Sequence, residues 1–284
     1  MRLKKKIQTL LRGGHRPDFI IVGAQKSGTS SLFSYLNESA SLCGSTPKEI
    51  HFFDREDNFS KGNSWYEAHF LRRKGKGKHV SYFEASPSYL CREKVPARLK
   101  AYNPDLKIII ILREPIARAY SAWNMYRQWN EEGRVPGIIA KDQYGRDDSP
   151  IKQIFFNGSC PSFSDYIKLE MALIESGASD EEPSLLRRGF YKDQIERYVA
   201  CFGWANVLVL GFNQLKNDSA AVMQRCHDFL GVPYQALAPQ RLQDIKNSRA
   251  YPAEITRQEL DLLEPLYAAA NTALFEYLGF QPDW

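Results

Sequence analysis

The sequence predicts an α/β fold with a central, mainly parallel sheet flanked by helices. Three observations carry that prediction. Lys107-Ile108-Ile109-Ile110-Ile111-Leu112 is a nearly continuous apolar run, as suits a parallel strand covered on both faces. Phe19-Ile20-Ile21-Val22 passes through a glycine-containing loop, Gly23–Thr29, into the amphipathic segment Ser30–Asn37. Strand-like and helix-like segments then alternate towards the C-terminus.

The elements follow in order. After Ser30–Asn37, Val80–Glu84 reads as a second strand closed by Ser86-Pro87. Lys107–Leu112 leads to Pro115, which a first helical turn tolerates because its missing N–H has no partner there anyway. Ile116–Gln128 is the helix that follows, and Arg118 reads as a surface residue on it. Periodicity fades from Asn130 to Ser162, where Gly, Pro and Asp accumulate. Helical patterning returns over Phe163–Ser176 and Gly189–Phe202. Val207–Leu210 is a buried-type strand, and Ala220–Leu230 is a helix stopped by Gly231 and Pro233. The last helix spans Glu254–Leu278. Neither a linker nor an internal repeat interrupts the chain, so residues 17–284 read as one domain behind a basic tail, 1–16.

Composition narrows the function classes. The 284 residues are 43% hydrophobic and 25% charged, enough for a substantial core. The net charge of +5 fits an anionic ligand, but no basic helix or aromatic platform accompanies it, so nucleic acid is not an expected partner. Five scattered cysteines with no CxxC pair predict no zinc site and suit a reducing, cytoplasmic setting. The apolar runs are too short to cross a bilayer. The tail (Arg2, Lys4, Lys5, Lys6, Arg12, Arg16, with Ile7, Leu10 and Leu11 interleaved) lacks the apolar core of a secretory signal. It reads as a solvated tail, with weak membrane-surface contact as the alternative.

The loop carries the chemistry. In a nucleoside-triphosphate P-loop the lysine directly follows the last glycine, whereas here the order is Lys26-Ser27-Gly28-Thr29-Ser30. Either order puts a cation and successive N–H groups at a helix N-terminus, where the helix dipole also favours an anion. Arg113 follows the strand that ends at Leu112, where a kinase would find an Asp convenient for magnesium, although Glu114 is adjacent. The pattern therefore points to metal-free chemistry on a fixed anion. A P-loop nucleotide kinase and a non-catalytic nucleotide-binding protein of the same fold are the alternatives. If the helix begins near Ile116, Ser121 lies within its first two turns, close to Arg113.

Pro17–Thr29 resembles the 5′-phosphosulfate loop of sulfotransferases that use 3′-phosphoadenosine-5′-phosphosulfate (PAPS), in their bacterial and heparan-sulfate-type branch. Lys48-Glu49-Ile50-His51-Phe52-Phe53-Asp54 resembles the acceptor-side motif of that branch. Trp65-Tyr66, Glu84-Ala85-Ser86-Pro87-Ser88-Tyr89-Leu90, Leu112–Ser121, Arg188-Gly189-Phe190-Tyr191, Leu278-Gly279 and Trp284 follow in the family's order.

The resemblance implies the P-loop-like sulfotransferase fold and sulfuryl transfer from PAPS to a hydroxyl or amine of a glycan, lipid or small metabolite, leaving 3′,5′-adenosine bisphosphate (PAP). It implies that Lys26 meets the bridging oxygen and sulfuryl group, that Ser27, Gly28, Thr29 and Ser30 hold the 5′-phosphate, and that Arg113 and Ser121 grip the 3′-phosphate. Lys246-Asn247-Ser248-Arg249 lies where the family folds a basic loop over the donor, so Ser248 and Arg249 are expected there too. No metal is required. Glu49 is the expected base, its pKa raised in a partly dry cleft, with His51 as rival. Heparan-type enzymes have lysine where this chain has Ala85, which argues against a highly anionic acceptor. An acceptor pocket is expected from residues 130–162 and around Trp65 and Tyr66.

Overall fold

The computed structural model describes residues 14–71, 73–77, 79–134, 137, 160–177, 184–234, 236 and 251–284. Among them five strands, β1 (Phe19–Gly23), β2 (Leu42–Gly44), β3 (Ser81–Ala85), β4 (Lys107–Leu112) and β5 (Val207–Gly211), form one sheet in the order β2-β3-β1-β4-β5. Every pairing is parallel, and the strands are buried almost throughout, as the apolar run at β4 predicts. The helices are α1 (Thr29–Glu38), α2 (Glu56–Phe59), α3 (Asn63–Glu67), α4 (Lys94–Tyr102), α5 (Pro115–Glu131), α6 (Phe163–Glu175), α7 (Tyr191–Phe202), α8 (Phe212–Asn217), α9 (Ser219–Leu230) and α10 (Arg257–Leu278).

Two compact units share these elements. The first takes the described residues up to Arg113 with those of Gln194–Asn247 and Pro282–Trp284; the second takes those of Glu114–Asp193 and Ser248–Gln281. The first unit holds the sheet. On one face Phe19, Ile21, Ile109 and Ile111 pack with Leu32, Tyr35 and Leu36 of α1 and Val222, Met223 and Cys226 of α9. Alternate strand residues supply this face, the two-residue period of a pleated strand.

β1 lies between β3 and β4, yet its outgoing chain crosses to β2 on one side while β4 is followed by β5 on the other. Neighbouring strands whose connections diverge leave a crevice beyond their carboxyl ends, where open α/β sheets bind ligands. The loop after β1 and Arg113 after β4 both stand at this point.

The second unit is helical. Tyr120, Trp123 and Tyr126 of α5 pack with Phe163 and Tyr166 of α6 and Leu263 and Tyr267 of α10. Helix α5 starts at Pro115, and both oxygens of Glu114 cap it, accepting from Ile116 N at 2.9 Å and Ala117 N at 2.7 Å. The carboxylate that stood next to Arg113 as a conceivable metal ligand is therefore a helix cap. Helix α10 begins at Arg257 because Thr256 and Glu259 form a reciprocal capping box.

Arg118 corrects the sequence reading. It is fully buried, not a surface residue, and its Nη2 donates to Leu185 O. Nearly every residue of α5 from Pro115 to Tyr126 is buried, so the helix lacks the solvent face that the reading assumed. No helix among the described residues is long and apolar enough to cross a membrane.

Candidate active site

The phosphate loop is built by backbone conformation. Lys26 and Gly28 adopt left-handed φ of 69° and 90°, turning the chain sharply out of β1 and into α1. Gly28 is required for a second reason: a Cβ there would lie 3.1 Å from the Phe212 ring and 3.3 Å from Leu215. Gly28 is the N-cap of α1, no side chain caps the helix, and no acidic residue stands in its first turn. The positive end of the helix is thus suited to an anion. Ser27 is fully buried and its hydroxyl has no hydrogen-bond partner. Buried hydroxyls are normally satisfied, and a phosphate oxygen seated in the loop would satisfy this one.

Arg113 joins the loop from β4. Its Nη1 donates to Lys26 O at 3.3 Å, and its guanidinium lies 4.9 Å from the centre of the Phe212 ring. Ser121 is buried on α5 in the second unit. Ser248 and Arg249 lie outside the described residues, as does most of 130–162. Lys26, Ser27, Gly28, Thr29, Ser30 and Arg113 therefore come together around one loop.

A second cluster stands beside the first in the same unit. The segment Ser86–Leu90 ties the two: Ser86 N donates to Ile21 O at 3.2 Å and Leu90 N to Val22 O at 2.8 Å, while Ser86 Oγ and Tyr89 OH accept from His51 N and Phe52 N. In the turn that carries the expected base, Lys48 Nζ lies 2.6 Å from Glu49 Oε1 and His51 Nε2 lies 3.8 Å from Glu49 Oε2. The other ring nitrogen, His51 Nδ1, is 2.9 Å from Asp54 Oδ2, which also accepts from Ser88 Oγ at 2.5 Å. Asp54 is almost wholly buried, whereas the Glu49 side chain is 43% exposed.

These contacts reverse the expected electrostatics. Burial pushes the Glu49 carboxyl up, but the hydrogen bond from His51 and the charge of Lys48 outweigh it and hold the group at about 2. Burial likewise pushes the His51 ring down, but hydrogen bonds to Asp54 and Glu49 carry it up to about 9. Glu49 is not the raised carboxyl the sequence suggested. His51 is an imidazolium at neutral pH and has no lone pair with which to act as base.

A stability test follows from these values. The raised His51 pKa contributes stability that is complete below its ordinary 6.5 and is lost as pH rises through about 9. The depressed Glu49 pKa contributes stability present above 4.5 and lost as pH falls through about 2. Urea unfolding at pH 6.5 and 9.5 should show the parent losing up to about 3 kcal/mol more than His51→Gln. Equal losses in the two proteins would contradict the charged His51. Glu49, Asp54 and Arg55 are the charged groups acting on this ring.

Comparison with known proteins gives the family of the chain. The family model described as the sulfotransferase domain matches residues 16–253. The chain belongs to the sulfotransferase domain family. Among curated sulfotransferases, the bifunctional heparan sulfate N-deacetylase/N-sulfotransferase 1 of Xenopus laevis is 30% identical over 229 residues, covering 76% of this chain and 22% of that protein. The mouse (Mus musculus) heparan sulfate glucosamine 3-O-sulfotransferase 3B1 is 28% identical, covering 76% of this chain and 46% of its own length. The chain thus spans less than half of these curated relatives. The crystal structure of a sulfotransferase from Alicyclobacillus acidocaldarius matches 94% of this chain and 97% of its own, with a TM-score of 0.67 and 25% identity. The family's P-loop-like fold is the fold described above.

Sequence reasoning missed four members of the site region. Phe212 backs Arg113, Asp54 and Ser88 hold His51, and Glu84 sits beneath the turn. Asp54 lay within a quoted motif and its i,i+3 spacing from His51 was available as a signal. Glu84 and Ser88 also stood in a quoted motif, Glu84–Leu90, but their contacts with the Lys48–Asp54 turn, like that of Phe212 with Arg113, join segments far apart in the chain.

Proposed function

We propose that this chain transfers the sulfuryl group of PAPS to the hydroxyl or amine of a glycan, lipid or small metabolite. The observation that carries the reading is the meeting of a glycine-capped phosphate loop with Arg113 at the carboxyl ends of β1 and β4, beside a second turn bearing an exposed carboxylate. In this reading Lys26 to Ser30 hold the 5′-phosphosulfate, with Ser27 Oγ donating to a phosphate oxygen. Arg113, Ser121, Ser248 and Arg249 serve the 3′-phosphate, and the guanidinium suits that task because it stays charged and binds in a two-pronged fashion.

Glu49 is the proton acceptor and His51 its charged orienting partner. The acceptor oxygen or nitrogen forms a bond to sulfur, the bond from sulfur to the phosphate oxygen breaks, and PAP leaves with that electron pair. A carboxylate with a pKa of about 2 is a weak base towards a free alcohol. It suffices late in the displacement, because bonding to sulfur makes the acceptor's proton strongly acidic. Lys26 offsets charge building on the departing phosphate.

Calorimetric titration without magnesium tests the donor assignment. PAP should bind at least about 10-fold more tightly than AMP, the worth of one charge-assisted phosphate contact. Equal affinities would sink the assignment of the 3′-phosphate groups; once the preference for PAP is measured, labelled PAPS offered to an acceptor panel identifies the second substrate.

A further inference from the structure

Glu84 is fully buried on β3, and its partners share one feature. Oε1 accepts from Ile50 N at 3.2 Å, Ser86 Oγ at 2.6 Å and Tyr89 OH at 3.0 Å, and Oε2 accepts from Tyr66 OH at 2.6 Å. Two of those hydroxyls are themselves acceptors. Ser86 Oγ receives His51 N at 3.4 Å, and Tyr89 OH receives Phe52 N at 2.9 Å and Phe53 N at 3.3 Å.

A hydroxyl has one proton to give. Once Ser86 and Tyr89 have taken the amides, their own protons go to the carboxylate. The four consecutive N–H groups of Ile50, His51, Phe52 and Phe53 thus end on one carboxylate, directly or through a single hydroxyl. This is the stretch in which His51 holds a left-handed φ of 55°, and Glu49 immediately precedes it. Glu84 accepts from Ile50 N and from the hydroxyls of Ser86 and Tyr89, so its carboxyl group is the common end of the network. Its pKa is raised, because full burial outweighs the hydrogen bonds from Ser86, Tyr66 and Tyr89 that oppose the rise.

We infer that Glu84 is a positioning residue: it fixes the backbone of Ile50–Phe53 and thereby aims the Glu49 carboxylate and the His51 ring. Its effect on turnover rests on the reading of Glu49 as proton acceptor. Its effect on His51 does not. The ring reaches both Glu49 and Asp54 only while the turn keeps its shape.

Two variants of the full chain test this. Glu84→Gln replaces one of the two acceptor oxygens with an NH2 donor, and Tyr89→Phe removes the acceptor of two amides while keeping the ring. The second stands in if the first does not fold. For each, kcat should fall by about 100-fold, the cost of an ångström-scale misplacement, with KM for PAPS and the affinity for PAP unchanged. The His51 ring resonances should titrate below their parental midpoint, moving from about 9 towards 6.5. A parental His51 titration in both variants, or loss of PAP binding along with activity, would overturn the inference. A shifted His51 with undiminished kcat would support Glu84 as the positioning residue and instead dismiss Glu49 as the base.

Discussion

Glu49→Gln is expected to lower kcat by about 10²- to 10⁴-fold while PAP binds as before. Glutamine preserves the shape of the side chain and one oxygen that can accept from Lys48 Nζ, now 2.6 Å from the carboxylate. What it removes is the basic lone pair and the negative charge. The phosphate loop lies after β1 and does not include this turn, so donor affinity should be blind to the change. The His51 ring should also titrate lower, because one of the two carboxylates that raise it is gone. Single-turnover measurements with labelled PAPS separate chemistry from product release. Turnover equal to the parent's would end the case for Glu49, and His51 could not inherit the role while protonated.

The sheet was legible in the sequence where burial alone decides the pattern. β4 is six residues of which five are fully buried, and a run of that kind reads the same in sequence and in space. The turn from β1 to α1 was equally legible, because a left-handed backbone at Gly28 requires glycine. β2 escaped notice: three residues, Leu42–Gly44, cannot show a period. Helix α4 also escaped, since its Pro96 lies in the first turn and resembles a breaker there.

The site divided in the same way. Its local parts, Lys26 to Ser30 and Lys48 to Asp54, are contiguous and could be named together. The direction of the pKa shifts could not be read, because it depends on which partner wins at atomic distance. Burial alone would have raised Glu49, and only the placement of the His51 ring and Lys48 ammonium reverses the sign. Arg118 failed for a related reason. A cation on a helix suggests solvent until the packing of the opposite face is known.

The second large effect is expected at Arg113. Its guanidinium lies over the Phe212 ring while Nη1 reaches the carbonyl of Lys26, so the plane of the fork is fixed before any ligand arrives. Preorganisation of this kind is what a lysine cannot reproduce: an ammonium has no plane to stack and no pair of parallel donors. Arg113→Lys should weaken PAP binding roughly 10- to 100-fold, the worth of one charge-assisted contact, and leave AMP nearly unaffected. The ratio of the two affinities is therefore the quantity to measure, since it cancels any general loosening of the loop. A variant that weakens PAP and AMP by the same factor would assign Arg113 to the loop's own architecture, through Lys26 O, and the 3′-phosphate would have to be recognised elsewhere. A variant that lowers the PAP-to-AMP preference alone would show that the arginine after β4 reads the group that sets PAPS apart from other adenine nucleotides, which is the step separating a sulfuryl donor site from a general phosphate cradle.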